Sequence, residues 1–337
     1  MKFTLLLFSF FLFFSCKQSK PKKIDIHSNF VLSFGSCNNQ NVQDTMWSEV
    51  LKNNPSVWVW GGDIIYADTE DMTLMKAEYN KVTNSQAYKD FKDTVAVIGT
   101  WDDHDYGMND AGEEYAKKDS AQQLLLDFLE VPDSDLRRKR KGVYFSKTYP
   151  VKEKSIKIIA LDTRYFRTAL TKDPTGKKRY VPSNSGSMLG STQWEWLANE
   201  LQTSTSDFNV IVSSIQFLSQ EHGFEGWGNM PLEVKKLENI IINSKAKGVI
   251  ILSGDRHIAE ISSKKLEELE YPLIDFTASG LTHSYEIFSG EPNVNRVSKV
   301  VTKKNFGILK FDLKTNMVIF EIRGEGNVLL EYKTQKY

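Results

Sequence analysis

The chain of 337 residues is 40% hydrophobic, 26% charged and 12% aromatic, the make-up of a globular protein long enough to bury a sizeable core. Lys+Arg and Asp+Glu each number 43 and cancel, which argues against a nucleic-acid partner, because such binders carry a basic excess or a basic face. Nine prolines and twenty glycines without a period exclude collagenous and disordered classes, and the chain shows no internal repeat.

In chain order, the first element is an export signal. Lys2 precedes the apolar run TLLLFSFFLFF, too short to span a bilayer, where about 20 residues are needed, but suited to the apolar region of a signal peptide. The run ends at Ser15-Cys16, a small residue directly before a cysteine. That arrangement resembles a bacterial lipobox and predicts a leader over residues 1–16, lipidation of Cys16 and a polar tether, KQSKPKK, over 17–23. An ordinary signal peptide with an incidental cysteine is the alternative. The expected location is the bacterial cell envelope, lipid-anchored on the periplasmic or cell-surface side. If Cys16 is lipidated, Cys37 has no partner for a disulfide, so it is either a buried, inert thiol or a metal ligand.

Residues 24–337 read as a single domain. Short apolar runs predict buried strands at 30–34, 57–60, 95–99, 156–161, 209–214 and 248–253. Apolar residues at spacings of three and four predict helices over 111–130 (Leu124, Leu125, Phe128), 192–203 (Trp194, Leu197, Leu201) and 233–244 (Val234, Leu237, Ile241). Strands alternating with helices indicate an α/β core. The C-terminal runs FGILKFDL, MVIFEIRG and VLLEYKT, separated by KTN and EGN, predict an antiparallel meander that closes a second sheet.

Ligands of open α/β sheets bind beyond the carboxyl ends of the strands. Five of the six predicted strands run into ligand-capable or charged residues: Gly35-Ser36-Cys37, Gly61-Gly62-Asp63 with Tyr66, TWDDHDYGMND over 100–110, Asp162-Thr163-Arg164, and Gly254-Asp255-Arg256-His257. Taken singly, such an aspartate is more often a helix cap, Tyr66 a packing residue and Cys37 a core thiol. Together, carboxylates, imidazole, thiol and phenol meeting at one edge are costly to desolvate unless cations neutralise them. A metal cluster is the simplest explanation.

The segments FGSC, GGDIIY, TWDDHDYGMND, LDTRYFR, LGSTQWEWL, LSGDRHIAE and DFTASGLTHS, in this order over residues 34–284, resemble the alkaline phosphatase D (PhoD-like) family of calcineurin-like metallophosphoesterases. The resemblance implies a four-layer αββα sandwich and a metal-dependent phosphoric ester hydrolase, a phosphodiesterase or phosphomonoesterase acting on a small-molecule phosphate ester. Carried over, Asp63 is the bridging carboxylate, and Tyr66 stands where the wider group has an aspartate. Cys37 occupies the place of the first ligand pair, Asp103 and Asn109 are further ligands, Asp255 and His257 are the final pair, and His104 sits near the leaving group. One departure stands out: Ser213-Ser214-Ile215-Gln216 replaces a histidine ligand of the wider group.

Phenol and thiol ligands favour a strongly polarising or soft cation over magnesium or calcium alone. The expected centre is therefore ferric iron, Fe(3+), with calcium, Ca(2+), added by the resemblance on Asp103, Asn109 and Asp255; zinc or another divalent ion is the alternative. The expected reaction is in-line attack by a metal-bound hydroxide, with His104 protonating the leaving oxygen and Asp105 orienting its ring. Arg164 either holds a phosphate oxygen through its planar fork or pairs with Asp162 or another acid. His222 belongs to a Gly- and aromatic-rich loop that could roof the pocket, His283 reads as a structural or rim residue rather than a ligand, and the basic run 137–141 as a solvated turn that could also steer an anionic substrate. A monomer is expected. Phospholipase D-like hydrolysis of lipid head groups, or a non-catalytic surface lipoprotein, are the competing functions.

Overall fold

The computed structural model describes residues 30–42 and 46–337; the predicted leader, Cys16 and the tether lie outside them. The elements run β1 (Phe30–Gly35), α1 (Met46–Leu51), β2 (Val57–Gly61), α2 (Met72–Asn84), α3 (Gln86–Thr94), β3 (Ala96–Thr100), α4 (Asp103–Tyr106), α5 (Lys118–Phe128), β4 (Phe145–Val151), β5 (Lys154–Ala160), α6 (Gly190–Gln202), β6 (Phe208–Val212), α7 (Pro231–Ser244), β7 (Val249–Ser253), β8 (Ala259–Lys264), β9 (Leu273–Ala278), β10 (Phe306–Asp312), β11 (Met317–Arg323) and β12 (Leu329–Lys336). Among the described residues no helix is long and apolar enough to cross a membrane.

The strands form two six-stranded mixed sheets, ordered β12-β11-β10-β1-β2-β3 and β4-β5-β6-β7-β9-β8. The predicted meander is present, but it does not close a separate sheet. β10 pairs antiparallel with β1, Phe30 facing Phe311 and Phe34 facing Gly307, so the meander extends the N-terminal sheet. The second sheet is built from β5, β6, β7 and β9 in parallel, with antiparallel β4 and β8 at its edges.

Side-chain alternation explains the layering. In β2, Val57 and Val59 point between the sheets, while Trp58 and Trp60 point outward, as the two-residue period of a strand requires. The inner core joins Leu32, Phe34, Leu309 and Phe320 of the first sheet to Ile158, Val210, Ile250 and Phe276 of the second. Trp58 and Trp60 pack beneath Trp47 of α1, Tyr79 of α2, Phe91 of α3 and Phe128 of α5. On the far side, Ile159, Ile211 and Ile251 meet Trp194 and Leu197 of α6 and Leu237 and Ile241 of α7. Three apolar cores thus separate four layers: helices, sheet, sheet, helices.

The predicted helix over 111–130 begins only at Lys118, because the backbone before it is bound elsewhere: the Glu113 amide donates to the Arg167 carbonyl and the Tyr106 hydroxyl to the Gly112 carbonyl, both at 2.7 Å. The basic run 137–141 is not a free solvated turn. Arg137 pairs with Asp135 and lies over Phe145, Arg138 pairs with Asp127, and Arg140 stacks on Tyr144.

The two sheets are joined at their carboxyl ends. Thr100 Oγ1, at the end of β3, donates to the Leu161 carbonyl after β5 at 2.7 Å, and Ser214 Oγ, after β6, donates to Asp102 at 2.7 Å. A Cβ at Gly254 would sit 2.6 Å from Ser36 Oγ and 2.8 Å from the Gly61 carbonyl, so only glycine lets these three strand ends close on one another.

Candidate metal centre

The turns that follow the strands are held in unusual backbone conformations. Cys37, Asp63, Asp255 and His257 have φ of 60°, 51°, 68° and 54°, a region non-glycine residues seldom occupy and which costs about 1–3 kcal/mol each. Asp105 stabilises one of these turns: its carboxylate accepts the amides of Asp63 at 3.2 Å, Ile64 at 3.1 Å and Asp102 at 2.6 Å. The turns face inward together. Cys37 Sγ lies 3.4 Å from Asp63 Oδ2, and the Tyr66 hydroxyl lies 3.3 Å from the same oxygen and 3.1 Å from His257 Nε2.

Two donor groups overlap at this point. Cys37, Asp63 and His257 bring sulfur, oxygen and nitrogen within 4.8 Å of one another, with the Tyr66 phenol beside them. Adjacent to them, Asp63 with Asp103 and His104, and Asp102 with Asp103 and Asp255, meet the same distance limit. Asp103 is held by the His104 amide at 2.9 Å, the Asn109 side-chain amide at 2.9 Å and the Asp110 amide at 2.7 Å. One group is therefore mixed and soft, the other almost wholly carboxylate, and Asp63 belongs to both sides.

The electrostatics of the protein groups alone are unfavourable. Burial, then the Asp103 charge, pushes the Asp63 carboxyl well above its ordinary range, and its Oδ1 has no hydrogen-bond partner. Burial likewise raises Asp255, although Arg256 opposes it, and raises the Cys37 thiol and the Tyr66 phenol, both further opposed to ionisation by Asp63. Burial and the neighbouring His283 bring His257 down to about 4, so its ring is neutral and free to act as a ligand. Asp103 is the exception. Arg164 and His104 outweigh its burial and bring it down to about 2. An orphaned carboxylate oxygen beside a buried thiol, phenol and neutral imidazole is a donor set that fits cations.

A cavity of about 270 Å³ opens over this floor. Asp103, His104, Asn109, Asp255 and His257 line it, as does Arg256, whose side chain pairs with Glu291 at 2.5 Å. Cys37, Asp63 and Tyr66 lie beneath, buried or nearly so. Arg164 is not on the wall. It is fully buried, with its guanidinium between Asp102 and Glu225, so both arms are occupied and the pairing alternative holds with acids other than Asp162. The half-exposed arginine at the wall is Arg179, 2.6 Å from Asp110. Asp105 does not orient His104 either. His104 Nδ1 lies 2.7 Å from Asp68, which, with the Asp63 and Asp103 charges, overcomes burial and lifts the imidazole to about 10.

Asp68, Asp110, Arg179, Glu225 and Arg256 were not singled out by sequence reasoning. Asp110 and Arg256 sit inside the quoted segments, next to Asn109 and between Asp255 and His257, and that adjacency was the available signal. His222 lies in the roof loop, but it is its neighbours Phe224 and Glu225 that line the cavity. His222 itself is partly buried and accepts the Phe224 amide at 3.1 Å. His283 packs edge-on against Tyr66 and His257, with ring centroids 5.2 and 4.5 Å away.

Comparison with known proteins agrees with this arrangement. The profile of the PhoD-like phosphatase family matches residues 30–335. Alkaline phosphatase D of Bacillus subtilis (strain 168) is 27% identical over 113 residues, a stretch covering 31% of this chain and 19% of that protein. The solved structure of PhoD superposes with a TM-score of 0.73 at 16% identity, covering 91% of this chain and 69% of that one. GAP50, the anchor in the inner membrane complex of Plasmodium, shares the fold with a TM-score of 0.57 at 10% identity, over 91% of this chain and 88% of that one. The chain belongs to the PhoD-like phosphatase family.

Proposed function

We propose that this member of the PhoD-like phosphatase family is a metal-dependent hydrolase of small-molecule phosphoric esters, monoesters or diesters. The observation that carries the reading is the orphaned Asp63 oxygen beside buried Cys37 and partly buried Tyr66 and His257, at the junction of two sheets. Cys37, Asp63, Tyr66 and His257 suit ferric iron, and Asp103, Asn109 and Asp255 suit calcium, with zinc or another divalent ion as the alternative filling. Such cations, when bound, supply Lewis acidity that activates water and neutralises charge on the phosphoryl oxygens.

The chain's own residues do the rest. His104 lines the cavity, and Asp68, 2.7 Å from its Nδ1, favours the protonated ring. It delivers that proton to the leaving oxygen or stabilises the charge there, a contribution worth about 10²–10⁴ in rate. Arg179 takes the phosphate-binding role expected of Arg164. Its side chain is half exposed while that of Asp110 is almost buried, and Asp110 also accepts the Tyr180 hydroxyl at 2.7 Å, so the guanidinium can turn to an incoming dianion without leaving Asp110 bare. Asp105 keeps the Asp63 turn in register. In-line transfer needs this positioning more than a protein nucleophile, and Ser36 has no part in it.

A non-catalytic surface lipoprotein is the competing reading, since a shared fold does not by itself carry function. The donor set argues against it. Metal analysis of the native protein, with a phosphodiester, a phosphomonoester and phosphatidylcholine assayed side by side, separates hydrolase, phospholipase D-like enzyme and inert scaffold. Bound iron with a visible phenolate or thiolate band supports the assignment; a colourless, iron-free and fully active preparation rejects the iron. Anchoring through Cys16 in the cell envelope, as a monomer, completes the proposal. A fatty-acid analogue that labels the wild type but not Cys16→Ser tests the anchor.

A further inference from the structure

The connection between β9 and β10 is built partly inside out. Three of its polar side chains turn inward while Glu286, Ser289 and Lys299 stay exposed: Asn293 donates to Glu260 and to Ser262 at 2.8 Å each, Asn295 donates to the Leu218 carbonyl at 2.9 Å, and Arg296 pairs with Glu260. Four of its apolar side chains turn outward, Ile287 being 87% exposed, Val294 82%, Val297 49% and Tyr285 39%, whereas Leu281 and Val301 near its ends are buried. The loop is fixed while it does this. The Tyr285 amide donates to the His257 carbonyl at 2.7 Å and the Val297 amide to Ile261 at 2.9 Å. A surface segment that turns these polar groups inward and presents these apolar ones is ordered for an apolar surrounding.

The patch sits at the mouth of the cavity, because Tyr285 belongs to both. The segment 171–180 reaches the same cavity through Arg179 on its wall, and its Lys172, Lys177 and Lys178 are exposed. The two segments are linked through the roof: the Arg179 and Tyr180 amides donate to the Gly223 carbonyl at 3.0 Å, Phe224 lies beneath Arg256, and Arg256 pairs with Glu291 of the loop. One opening is thus shared by a segment bearing lysines and a loop bearing apolar side chains, in a chain with no net charge.

We propose that this rim is a docking surface for an anionic lipid membrane, the apolar loop dipping into the headgroup boundary while the lysines meet lipid phosphates. Four exposed apolar side chains on one fixed loop, with exposed lysines on the neighbouring segment, give the apolar-plus-basic make-up of an interfacial lipid contact. Shallow, reversible lipid contact fits this make-up. The docking surface stands on its own observations; its use, bringing the cavity to esters at a membrane surface, rests on the hydrolase reading.

The test uses the full chain carrying Cys16→Ser, so that Cys37, fully buried, is the only native thiol. A polarity-sensitive dye is attached at Ile287→Cys or, as a control on an exposed apolar position outside this loop, at Leu136→Cys. With vesicles of phosphatidylcholine plus phosphatidylglycerol, the label at 287 should shift to the blue and brighten severalfold, less so on phosphatidylcholine alone, and the label at 136 should stay unchanged. Adding Lys177→Glu and Lys178→Glu should remove most of the response on anionic vesicles. No response at 287, an equal response at 136, or a response to rising protein concentration without lipid would each overturn the proposal, the last in favour of a second copy of the chain. Turnover of a soluble nitrophenyl phosphate, measured on the same samples, keeps this outcome separate from that of the hydrolase reading.

Discussion

Arg164 and Arg179 lie on opposite sides of one acidic layer. Arg164 is in the floor, fully buried between Asp102 and Glu225, and Glu225 is shared with Arg167 at 3.1 Å. Arg179 is on the rim, with 47% of its side chain exposed and a single close carboxylate, Asp110. The same guanidinium therefore has two uses. In the floor it offsets charge that water cannot reach: Asp102 still rises to about 6 and Glu225 to about 7 through burial, even with Arg164 pulling both down. On the rim it is available to a ligand, because it is half in water and Asp110 keeps the Tyr180 hydroxyl. Floor residues are expected to read out in stability, rim residues in kinetics, and the donor plane between them in metal content.

The largest effect should come from that middle plane. Asp63→Asn removes the carboxylate common to both donor groups, so bound metal and turnover should both fall to background in elemental analysis and assay. Because burial disfavours the charged Asp63, the chelated variant should melt no lower than the chelated wild type. A lower melting temperature would make Asp63 a structural residue instead.

Arg164→Ala should come next, destabilising the fold by about 3–5 kcal/mol, the usual loss when one partner of a buried pair is removed. Arg179→Ala should destabilise far less than this, because the guanidinium is half in water and Asp110 keeps the Tyr180 hydroxyl, and should instead raise KM. Urea melts and Michaelis profiles on the same two variants test the contrast. If Arg164→Ala stays stable and loses only substrate affinity, the floor and rim roles are reversed.

His104→Ala should lower turnover of an alkyl phosphate by about 10²–10⁴ and of a nitrophenyl phosphate far less, because the better leaving group needs no proton, with metal content intact. Equal losses, or loss of metal, would make His104 a ligand.

The smallest effect concerns pH. Burial pulls the His104 imidazole down, but the Asp68 hydrogen bond and the Asp63 and Asp103 charges raise it to about 10, above the unfolded value of about 6.5. The stability contributed by the charged form is thus complete below about pH 6.5 and is lost as pH rises through about 10. Asp68→Asn should move the alkaline fall of alkyl phosphate turnover down by about one unit, the size of a modest hydrogen bond to a charged group. An unmoved alkaline limb would exclude His104 as the titrating group.

Much of this protein was legible in one dimension. The six predicted strands match β1, β2, β3, β5, β6 and β7 to within about two residues, because buried strands need unbroken apolar runs. The donor residues were visible because chemistry at the carboxyl ends of strands follows each strand immediately in sequence. The resemblance, not the periodicity, supplied the layering and the family, and the family match bears that out.

Tertiary structure alone decided the remainder. Alternating runs cannot say which sheet a strand joins, and the meander's pairing with β1 crosses almost the whole chain. Arg164 follows a strand just as Asp63 does, yet it is buried beneath the cavity because Asp102 and Glu225, both about 60 residues away, claim its guanidinium. Asp105 is adjacent to His104 but faces the Asp63 turn, since successive residues of a helical turn point about 100° apart, and the imidazole found Asp68 on another segment instead. Sequence neighbours fix which groups are present at a strand end. Which of them meet is settled by contacts between distant segments, and those form only when the two sheets close.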